Sequence, residues 1–416
     1  MLKYWLWLTT LEGVSLREQA MLLRHFGAAD EVYFAGSDAL TLLDGLTDRA
    51  RAALQNKELN AADRLLSECY EKDISICTMQ DAAYPDRLRS IALPPPVLYT
   101  VGRMIDFDTQ PTIAVVGTRS ATAYGLRTAK RLGYQIGRCG GTVVSGMAKG
   151  IDAAAMEGAL SAGAPVAGVL GCGVDVVYPK ENGALFRDVA RWGCLISEYP
   201  PGTPPIGSHF PQRNRIMSAL GLGTLIVEAP ERSGALSTAN HALEQGRDVF
   251  AVPGNIDNPA SYGTNRLIRD GAILAANGWD VMREYAALFP GRVRYQPGGQ
   301  KLDLSPTEAQ FAVGETEASE TDLEEKVTVS LKETQISIDN TGNNAYIDLE
   351  TILPKVDGDE RELVILLAEK SQSTDELIER SQLPASRVMA SLTLLEVQGI
   401  VRCGSDKRVT LIGPGD

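Results

Sequence analysis

Short apolar runs alternate with segments of helical periodicity between residues 112 and 275. An apolar, β-branched run bounded by glycine predicts a buried strand, and apolar positions three and four residues apart predict a helix. Their alternation is typical of an α/β fold in which helices cover both faces of a parallel sheet. The predicted strands are Thr112–Gly117, Thr142–Gly146, Pro165–Gly171, Cys194–Tyr199, Gly223–Glu228, Asp248–Gly254 and Ala272–Ala275. The predicted helices are Tyr124–Cys139, Gly150–Gly163, Glu181–Trp192, Pro211–Leu220 and Ser237–Gly246.

The N-terminal flank has a helical pattern. The predicted helices there are Leu16–Phe26, Ala39–Leu43 and Asp48–Gln55. A glycine turn precedes a helix in Leu11–Ser15 (LEGVS) and in Leu43–Thr47 (LDGLT). Helix-hairpin-helix modules use such turns to present backbone N–H groups to phosphates. We favour a plain helical packing domain over that alternative.

The C-terminal flank predicts a winged helix. Its elements are the helices Asp359–Lys370, Thr374–Ser381 and Ala385–Val397, followed by a hairpin of Ile400–Arg402 and Arg408–Leu411. Residues 291–356 are acidic and polar, which predicts a flexible linker, although the alternation in Val327–Ile338 suits a hairpin. The predicted parts are a small helical domain of the SAM or helix-hairpin-helix kind at 1–80, a Rossmann-like domain at 81–290, the linker at 291–356 and the winged helix at 357–416.

Composition indicates a soluble, cytoplasmic protein. Of the 416 residues, 44% are apolar and 22% are charged, which is ordinary for globular proteins. No stretch approaches the roughly 18 consecutive apolar residues of a membrane-spanning helix, so we expect no membrane contact. The six cysteines form no C-x-x-C pair, so neither a disulfide framework nor a zinc site is expected.

The charge distribution leaves room for a polyanionic ligand in the middle of the chain. The net charge of −13 would by itself repel nucleic acid. However, residues 110–290 carry 16 basic and 14 acidic side chains, whereas residues 291–416 carry 13 and 23. The acidic excess therefore lies outside the predicted Rossmann-like domain.

The turn after the first predicted strand, Gly117–Gly125, lacks two features of a dinucleotide site. Arg119 stands where a glycine would let the backbone approach a pyrophosphate, and no acidic residue follows about 20 positions later. A strand-to-helix turn still favours an anion, and a guanidinium pairs well with phosphate. This favours a phosphodiester ligand over NAD. The alternative is that Arg119 pairs with a carboxylate at a neighbouring strand end.

Further turns at the same predicted edge of the sheet have anion-binding character. Ser145, Gly146 and Lys149 follow the second strand, and Asp152 beside them is interpreted as a helix cap rather than as the partner of a cation. Arg213 and Arg215 fall in the first turn of a helix, where cations oppose the dipole unless an anion is bound. Phe210, just before them, suits either base stacking or a hydrophobic staple.

Catalytic signals are few. The sequence contains no G-x-S-x-G elbow, no Walker A run and no cluster of metal-ligand residues, so no cofactor or metal is expected. Asp175, Glu198, Glu228 and Asp257 could each supply a carboxylate for cleavage of a glycosidic bond. An enzyme is therefore the less favoured hypothesis.

Seven sequence blocks in residues 80–290 resemble the DNA-processing protein A (DprA, or Smf) family. They are GTRSATAYG, SGMAKGIDAAAMEGAL, GCGVDVVYPKEN, SEYPPGTPP, HFPQRNRIMSALG, ERSGALSTANHALEQG and VPGNIDNPASYGTNRLI. The resemblance implies an extended Rossmann-like domain that forms a homodimer and binds single-stranded DNA. It also implies that the protein protects incoming single strands during natural transformation and loads a RecA-type recombinase on them.

The resemblance also implies DNA-binding residues. The G-x-R turn of the family matches Gly117, Thr118 and Arg119, and its S-G turn matches Ser145 and Gly146, with Lys149 beside them. The block with the aromatic and basic helix start matches Phe210, Arg213, Asn214 and Arg215. Ser237, Asn255, Thr264 and Asn265 occupy other turns on that rim. Many relatives have a further lysine where this chain has Ile206, Gly207 and Ser208, so one phosphate contact is expected to be missing.

Two rival hypotheses come from other classes. A nucleotide-cleaving enzyme of the lysine-decarboxylase-like, cytokinin-releasing group would share the sheet, but its P-G-G-x-G-T run is absent at Pro230–Thr238. A purely structural adaptor for the recombinase would have no DNA affinity in the middle domain. For the winged helix, protein docking is at least as well supported as DNA contact, because Ala385–Val397 contains Arg387 as its one cation.

Overall fold

A computed structural model describes residues 1–296, 358–369, 372–381, 383, 385–397, 400–403 and 408–411. The chain divides into two compact units, Met1–Thr316 and Glu317–Asp416. The predicted hairpin at Val327–Ile338 lies outside the described residues, as does the linker from residue 297 onward. No helix in the described ranges is long and apolar enough to cross a bilayer.

The first unit is built on one mixed sheet. Its strands are β1 Ser75–Thr78, β2 Val97–Gly102, β3 Thr112–Val116, β4 Thr142–Ser145, β5 Val166–Val169, β6 Cys194–Ser197, β7 Gly223–Ile226, β8 Asp248–Ala251 and β9 Ile273–Leu274. The strand order is β1-β2-β6-β5-β4-β3-β7-β8-β9. Strands β3 to β9 pair in parallel, as the sequence predicts, whereas β1 and β2 add antiparallel pairs next to β6.

The helices of this unit fall before, between and after the strands. They are α1 Leu2–Thr10, α2 Leu16–Phe26, α3 Ala29–Phe34, α4 Ser37–Thr41, α5 Asp48–Leu54, α6 Asn60–Glu71, α7 Asp86–Arg89, α8 Ala123–Arg138, α9 Ile151–Ser161, α10 Gly183–Trp192, α11 His209–Leu220, α12 Gly234–Glu244, α13 Tyr262–Arg269 and α14 Gly278–Met282. Helices α8 and α9 cover one face of the sheet, and α11 and α12 cover the other. The predicted α/β architecture is confirmed.

Chain order reverses at β3. Strand β4 follows β3 on one side, whereas β7 pairs with β3 on the other side. In open parallel sheets, such a reversal leaves a crevice at the carboxyl ends of the two strands, because the connecting helices lie on opposite faces. The fold thus places a crevice beside the turn that contains Arg119.

The N-terminal helices pack directly against the sheet. Trp5, Leu6, Trp7 and Leu8 of α1 are all buried, and they belong to the same core as Tyr99 of β2. Helix α1 was not among the predicted helices, because its nearly unbroken apolar run has little polar contrast from which to recognise a helical period.

Glu18 explains why the glycine turns of this part do not present free N–H groups. Its Oε2 accepts hydrogen bonds from the backbone N–H and the hydroxyl of Ser15, at 2.8 and 2.7 Å. Its Oε1 accepts the corresponding pair from Thr47, at 3.0 and 2.8 Å. These are the turns before α2 and α5. An internal carboxylate therefore occupies donor groups that a helix-hairpin-helix module would offer to phosphate, which supports the packing interpretation.

The second unit has the winged-helix fold that the sequence predicts. It contains α15 Gly358–Glu369, α16 Thr374–Ser381 and α17 Ala385–Val397, with the strands β10 Gln372–Ser373, β11 Val401–Cys403 and β12 Arg408–Leu411. The sheet order is β10-β12-β11, and all its pairs are antiparallel. Leu363, Leu377, Val388, Leu395 and Val409 form its core. Strand β10 is an addition to the predicted hairpin.

Replacing Glu18 by glutamine should destabilise the first unit by about 1–3 kcal/mol at neutral pH, because the amide cannot satisfy both capped turns. Burial opposes ionisation of Glu18, but the hydrogen bonds from Ser15 and Thr47 prevail and lower its pKa from 4.5 to about 2. The stabilisation is therefore complete above pH 4.5 and is lost as the pH falls toward 2. Thermal unfolding across this pH range measures the effect. The exposed Glu58→Gln variant is the control, and equal pH profiles for the two variants would contradict the assignment.

Candidate nucleic-acid interface

A cleft of about 560 Å³ opens at the carboxyl ends of β3, β4 and β7. Three segments form its walls: the turn after β3, the start of α11, and the turn that leads into α12. Gly117, Thr118, Arg119, Phe210 and Asn214, all predicted site residues, line it. The structure thus brings together three segments that are separated in the sequence.

Glu228 holds the first turn in place. Its backbone carbonyl accepts the N–H of Thr118 at 2.8 Å, and its carboxylate accepts the N–H and the hydroxyl of Thr122 at 2.8 and 2.7 Å. Gly125 is needed for this arrangement, since a Cβ there would overlap the Glu228 carboxylate. Glu228 is only 1% exposed. It acts as a support for the turn and is not presented to a substrate.

Arg119 lies at the open side of the cleft. Its guanidinium carbon is 5.3 Å from the centre of the Phe210 ring. The centres of the Phe210 and Tyr178 rings are 5.4 Å apart. Arg119 is exposed, and within the described part of the chain it forms no salt bridge. The alternative that a neighbouring carboxylate neutralises Arg119 is therefore not realised there. Its charge is available to an anion at the cleft.

The second turn is held by a buried cation. Arg213 is 3% exposed, and its Nη1 donates to the carbonyls of Gly146, at 2.9 Å, and of Val169. A Cβ on Gly146 would overlap this guanidinium. The Ser145 hydroxyl is also buried, donating to the Val115 carbonyl at 2.6 Å. Ser145 and Arg213 thus shape the site from inside.

Asp152 supplies a buried negative charge near Arg213. Its carboxylate accepts the N–H of Gly146 at 3.1 Å and is fully enclosed. Burial raises the pKa of Asp152, and the positive charge of Arg213 opposes that rise. Burial likewise lowers the pKa of Arg213 to about 10, against the opposing effect of Asp152. The expectation that Asp152 caps its own helix is corrected, because the cap position is Gly150 and no side chain caps that end.

Arg215 lies away from the cleft. Two of its nitrogens donate to the two carboxylate oxygens of Glu198, at 2.6 and 2.9 Å, and a third donates to the Leu93 carbonyl at 3.0 Å. Both side chains are almost completely buried. Arg215 is therefore neutralised by a buried carboxylate, and Arg213 is held by backbone carbonyls near the charge of Asp152, so neither arginine needs a bound anion to explain its place. For Arg215 this corrects the expected DNA contact.

Lys149 is at the mouth of the site and already has a partner. Its ammonium lies 2.5 Å from Oε1 of Glu181, and both side chains are more than half exposed. A smaller cavity of about 230 Å³ is lined by Lys149 together with Arg119 and Phe210. The hydrogen bond from Lys149 lowers the pKa of Glu181, which keeps that carboxylate charged.

The remaining predicted residues are dispersed. Ser237 does not line the cleft, Thr264 is buried against the Ser261 carbonyl, and the Asn265 side chain bonds both backbone groups of Gly254. Asn255 lines a different depression, of about 440 Å³.

The polar and aromatic cleft residues that the sequence did not point to include Tyr178, Arg232, Ser233 and Thr238. The hydroxyl-rich segment Arg232–Thr238 was the signal for three of them, but from this segment only Ser237 was selected. Tyr178 could not be selected, because its place depends on its contact with Phe210.

The four carboxylates considered for glycosidic-bond cleavage either have partners within the protein or lie outside the cleft. Asp175 lies 2.6 Å from the ammonium of Lys72, and Glu198 and Glu228 have the partners described above. Asp257 is exposed and is not part of the cleft. Within the described residues, no group of three or more histidine, cysteine, aspartate or glutamate side chains could hold a metal ion.

Comparison with known proteins identifies the family. The sequence model of DNA recombination-mediator protein A matches residues 75–286, and that of the DprA winged-helix domain matches residues 349–407. The chain belongs to the DprA/Smf family. It is 31% identical to Protein Smf of Synechocystis over 96% of both chains, and 39% identical to DNA processing protein DprA of Bacillus subtilis over 57% of this chain and 81% of that one.

A solved structure supports the same assignment. The chain is similar to the X-ray structure of DprA from Streptococcus pneumoniae, with a TM-score of 0.62 and 33% identity, covering 68% of this chain and 98% of the other. These relatives are described as DNA-processing and recombination-mediator proteins. The chain is placed with them and not with nucleotide-cleaving enzymes.

Asp152→Asn should destabilise the first unit by about 1–3 kcal/mol, because the neutral amide no longer offsets the buried charge of Arg213 and accepts the Gly146 N–H more weakly. The midpoint of chemical denaturation measures this loss. Asp257→Asn, an exposed position on another loop, should leave the midpoint unchanged. Equal stability of the two variants would refute the idea that the charge of Asp152 supports the second turn.

Proposed function

We propose that the cleft binds single-stranded DNA. The observation that carries the proposal is the exposed guanidinium of Arg119, which lies over Phe210 and has no carboxylate partner in the described chain. A guanidinium pairs with a phosphate oxygen, and an adjacent aromatic ring stacks on a base. Arg232, exposed on the facing wall, offers a second charge for a neighbouring phosphate.

Single strands suit this surface better than duplex DNA. Successive phosphates and unstacked bases can use a cleft of mixed cations and aromatics, whereas sequence reading of a duplex needs a recognition element with side chains free for the groove. In the winged helix, Arg387 of α17 forms a two-point ion pair with Asp359, at 2.6 Å for each contact. That cation is not free to read base edges.

The finer roles follow from family membership. We infer that the protein protects incoming single strands during natural transformation and loads a RecA-type recombinase on them. We also infer a cytoplasmic homodimer that pairs through its Rossmann-like domain. Exposed Leu243 and Leu274 near the β8–β9 edge supply apolar surface for such pairing. Cys69, Cys77, Cys139, Cys172 and Cys194 are free and buried, which fits a reducing compartment.

Arg119→Ala should weaken binding to single strands of any base composition, oligothymidine included. It should also reduce the slope of log affinity against log salt by about 0.7, the value for one lost phosphate contact on a single strand. Fluorescence anisotropy of the full-length protein with a labelled strand and a matched duplex, across a salt series, measures both. The same variant should fail to promote recombinase filaments on that strand.

Arg138→Ala is the matched control, since Arg138 is exposed at the far end of α8, away from the carboxyl ends of the strands. It should bind as the unaltered protein does. If Arg119→Ala keeps full affinity and slope, the role proposed for this turn is excluded.

Glu181→Gln should tighten binding of single strands by about two- to fivefold, because Lys149 no longer has to leave an ion pair to reach a phosphate. The salt slope should rise as well. The control is Glu157→Gln. Exposed Glu157, on α9, pairs with Lys130 of α8 outside the cleft, so this substitution also removes one carboxylate from an ion pair with a lysine. If both variants gained the same affinity, the gain would come from net charge alone, and a specific contact between Lys149 and a phosphate would be excluded.

A further inference from the structure

A second depression lies beside the cleft and is lined by Tyr124, Pro253, Gly254, Asn255, Asn258 and Ser261. We call it the Tyr124 depression. Its volume is about 440 Å³, and none of its lining residues belongs to the cleft that contains Arg119. No charged side chain lines it, so its ligand is not recognised through phosphate.

The floor of the depression is internally bonded. The Asn265 side chain accepts the N–H of Gly254 at 3.1 Å and donates to its carbonyl at 3.0 Å. A Cβ on Gly254 would overlap the hydroxyl of Ser261, which is itself 3% exposed. The hydroxyl of Tyr124 donates to the Pro253 carbonyl at 3.1 Å and so joins α8 to this loop. The shape is therefore present before any ligand arrives.

The walls offer an aromatic face and two amides. Tyr124 is 43% exposed although its hydroxyl is bonded, so part of its ring is open to solvent. The side-chain oxygens of Asn255 and Asn258 accept backbone N–H groups at 2.9 and 3.1 Å. Their amide nitrogens have no partner within the described chain. A planar, uncharged group with hydrogen-bond acceptors at its edge matches this set, and a nucleobase is such a group.

The depression and the cleft share their supports. Ser120 lines the cleft, Tyr124 lines the depression, and Thr122 between them is fixed by the Glu228 carboxylate. On the other side, the N–H of Gly263 donates to the Ala229 carbonyl at 2.8 Å, next to Pro230 of the cleft wall. A strand held at Arg119 can therefore continue past Thr122 toward Tyr124 without leaving the surface.

We propose that the Tyr124 depression is a second base-binding site for the strand that the cleft holds, with Tyr124 stacking on a base and the two asparagines contacting its edge. This inference rests on the proposed single-strand function and extends the DNA path beyond the cleft. Because the site holds a base and no phosphate, it adds affinity that does not depend on salt.

The test is a length series of oligothymidines bound to the full-length protein and to Tyr124→Ala, Tyr124→Phe and Arg119→Ala. Loss of a base stack costs about 5- to 100-fold in affinity. Tyr124→Ala should show that loss only with strands long enough to pass the cleft, and its salt slope should stay unchanged. Tyr124→Phe keeps the ring and should retain most of the affinity. Tyr70→Ala, which removes a 90% exposed tyrosine on α6, is the matched control.

Photocrosslinking supplies a measurement that needs no substitution in the depression. A long strand carrying iodouracil should crosslink to Tyr124 at one or two positions, and a short strand should not. If Tyr124→Ala binds long strands normally and no crosslink forms, while Arg119→Ala is defective, the second site is refuted and the function of the cleft stands. If Arg119→Ala also binds normally, the proposed function itself fails. Equal losses with short and long strands would show that Tyr124 acts through the first turn, which also overturns the second site.

Discussion

The buried guanidinium of Arg213, with the negative charge of Asp152 nearby, is the constraint on which the candidate interface depends. The guanidinium of Arg213, on α11, donates to carbonyls just after β4 and at the end of β5. Asp152, on α9, accepts the N–H of Gly146 in the same turn. A charge that has lost its water must keep its partners, so the geometry tolerates little change. The Gly146 turn takes its shape from this contact, as the first turn takes its shape from Glu228.

The site separates two kinds of cation by burial. Arg213 and Arg215 are buried and fix the protein scaffold, the first through backbone carbonyls and the second through Glu198. Arg119 and Arg232 remain exposed at the cleft and have no carboxylate partner in the described chain. Lys149 is intermediate, because it is exposed but paired with Glu181. Buried pairs contribute shape, and exposed cations contribute attraction for a polyanion, so the small excess of positive charge in residues 110–290 understates the field at the cleft.

Much of the fold could be predicted because its signals are local. Strands β3 to β8 are largely buried apolar runs, and the winged-helix core follows helical periodicity, so each could be recognised within its own segment. Strands β1 and β2 could not be recognised in this way, because their pairing depends on a distant segment. Strand β2 pairs with β6, almost 100 residues later in the chain. Helix α1 lacked polar contrast and was missed for that reason.

For the site, the sequence by itself determined which turns end the strands, and it placed Arg119 and Phe210 among a larger set of candidate residues. The partition of the arginines was decided only by the tertiary structure. Neighbouring positions on α11 can face a buried carboxylate or the cleft. The sequence alone does not indicate which carboxylate lies next to each arginine. Glu198 and Asp152 come from distant strands and helices, so only their meeting in space determined whether a cation near α11 serves the scaffold or remains for a ligand.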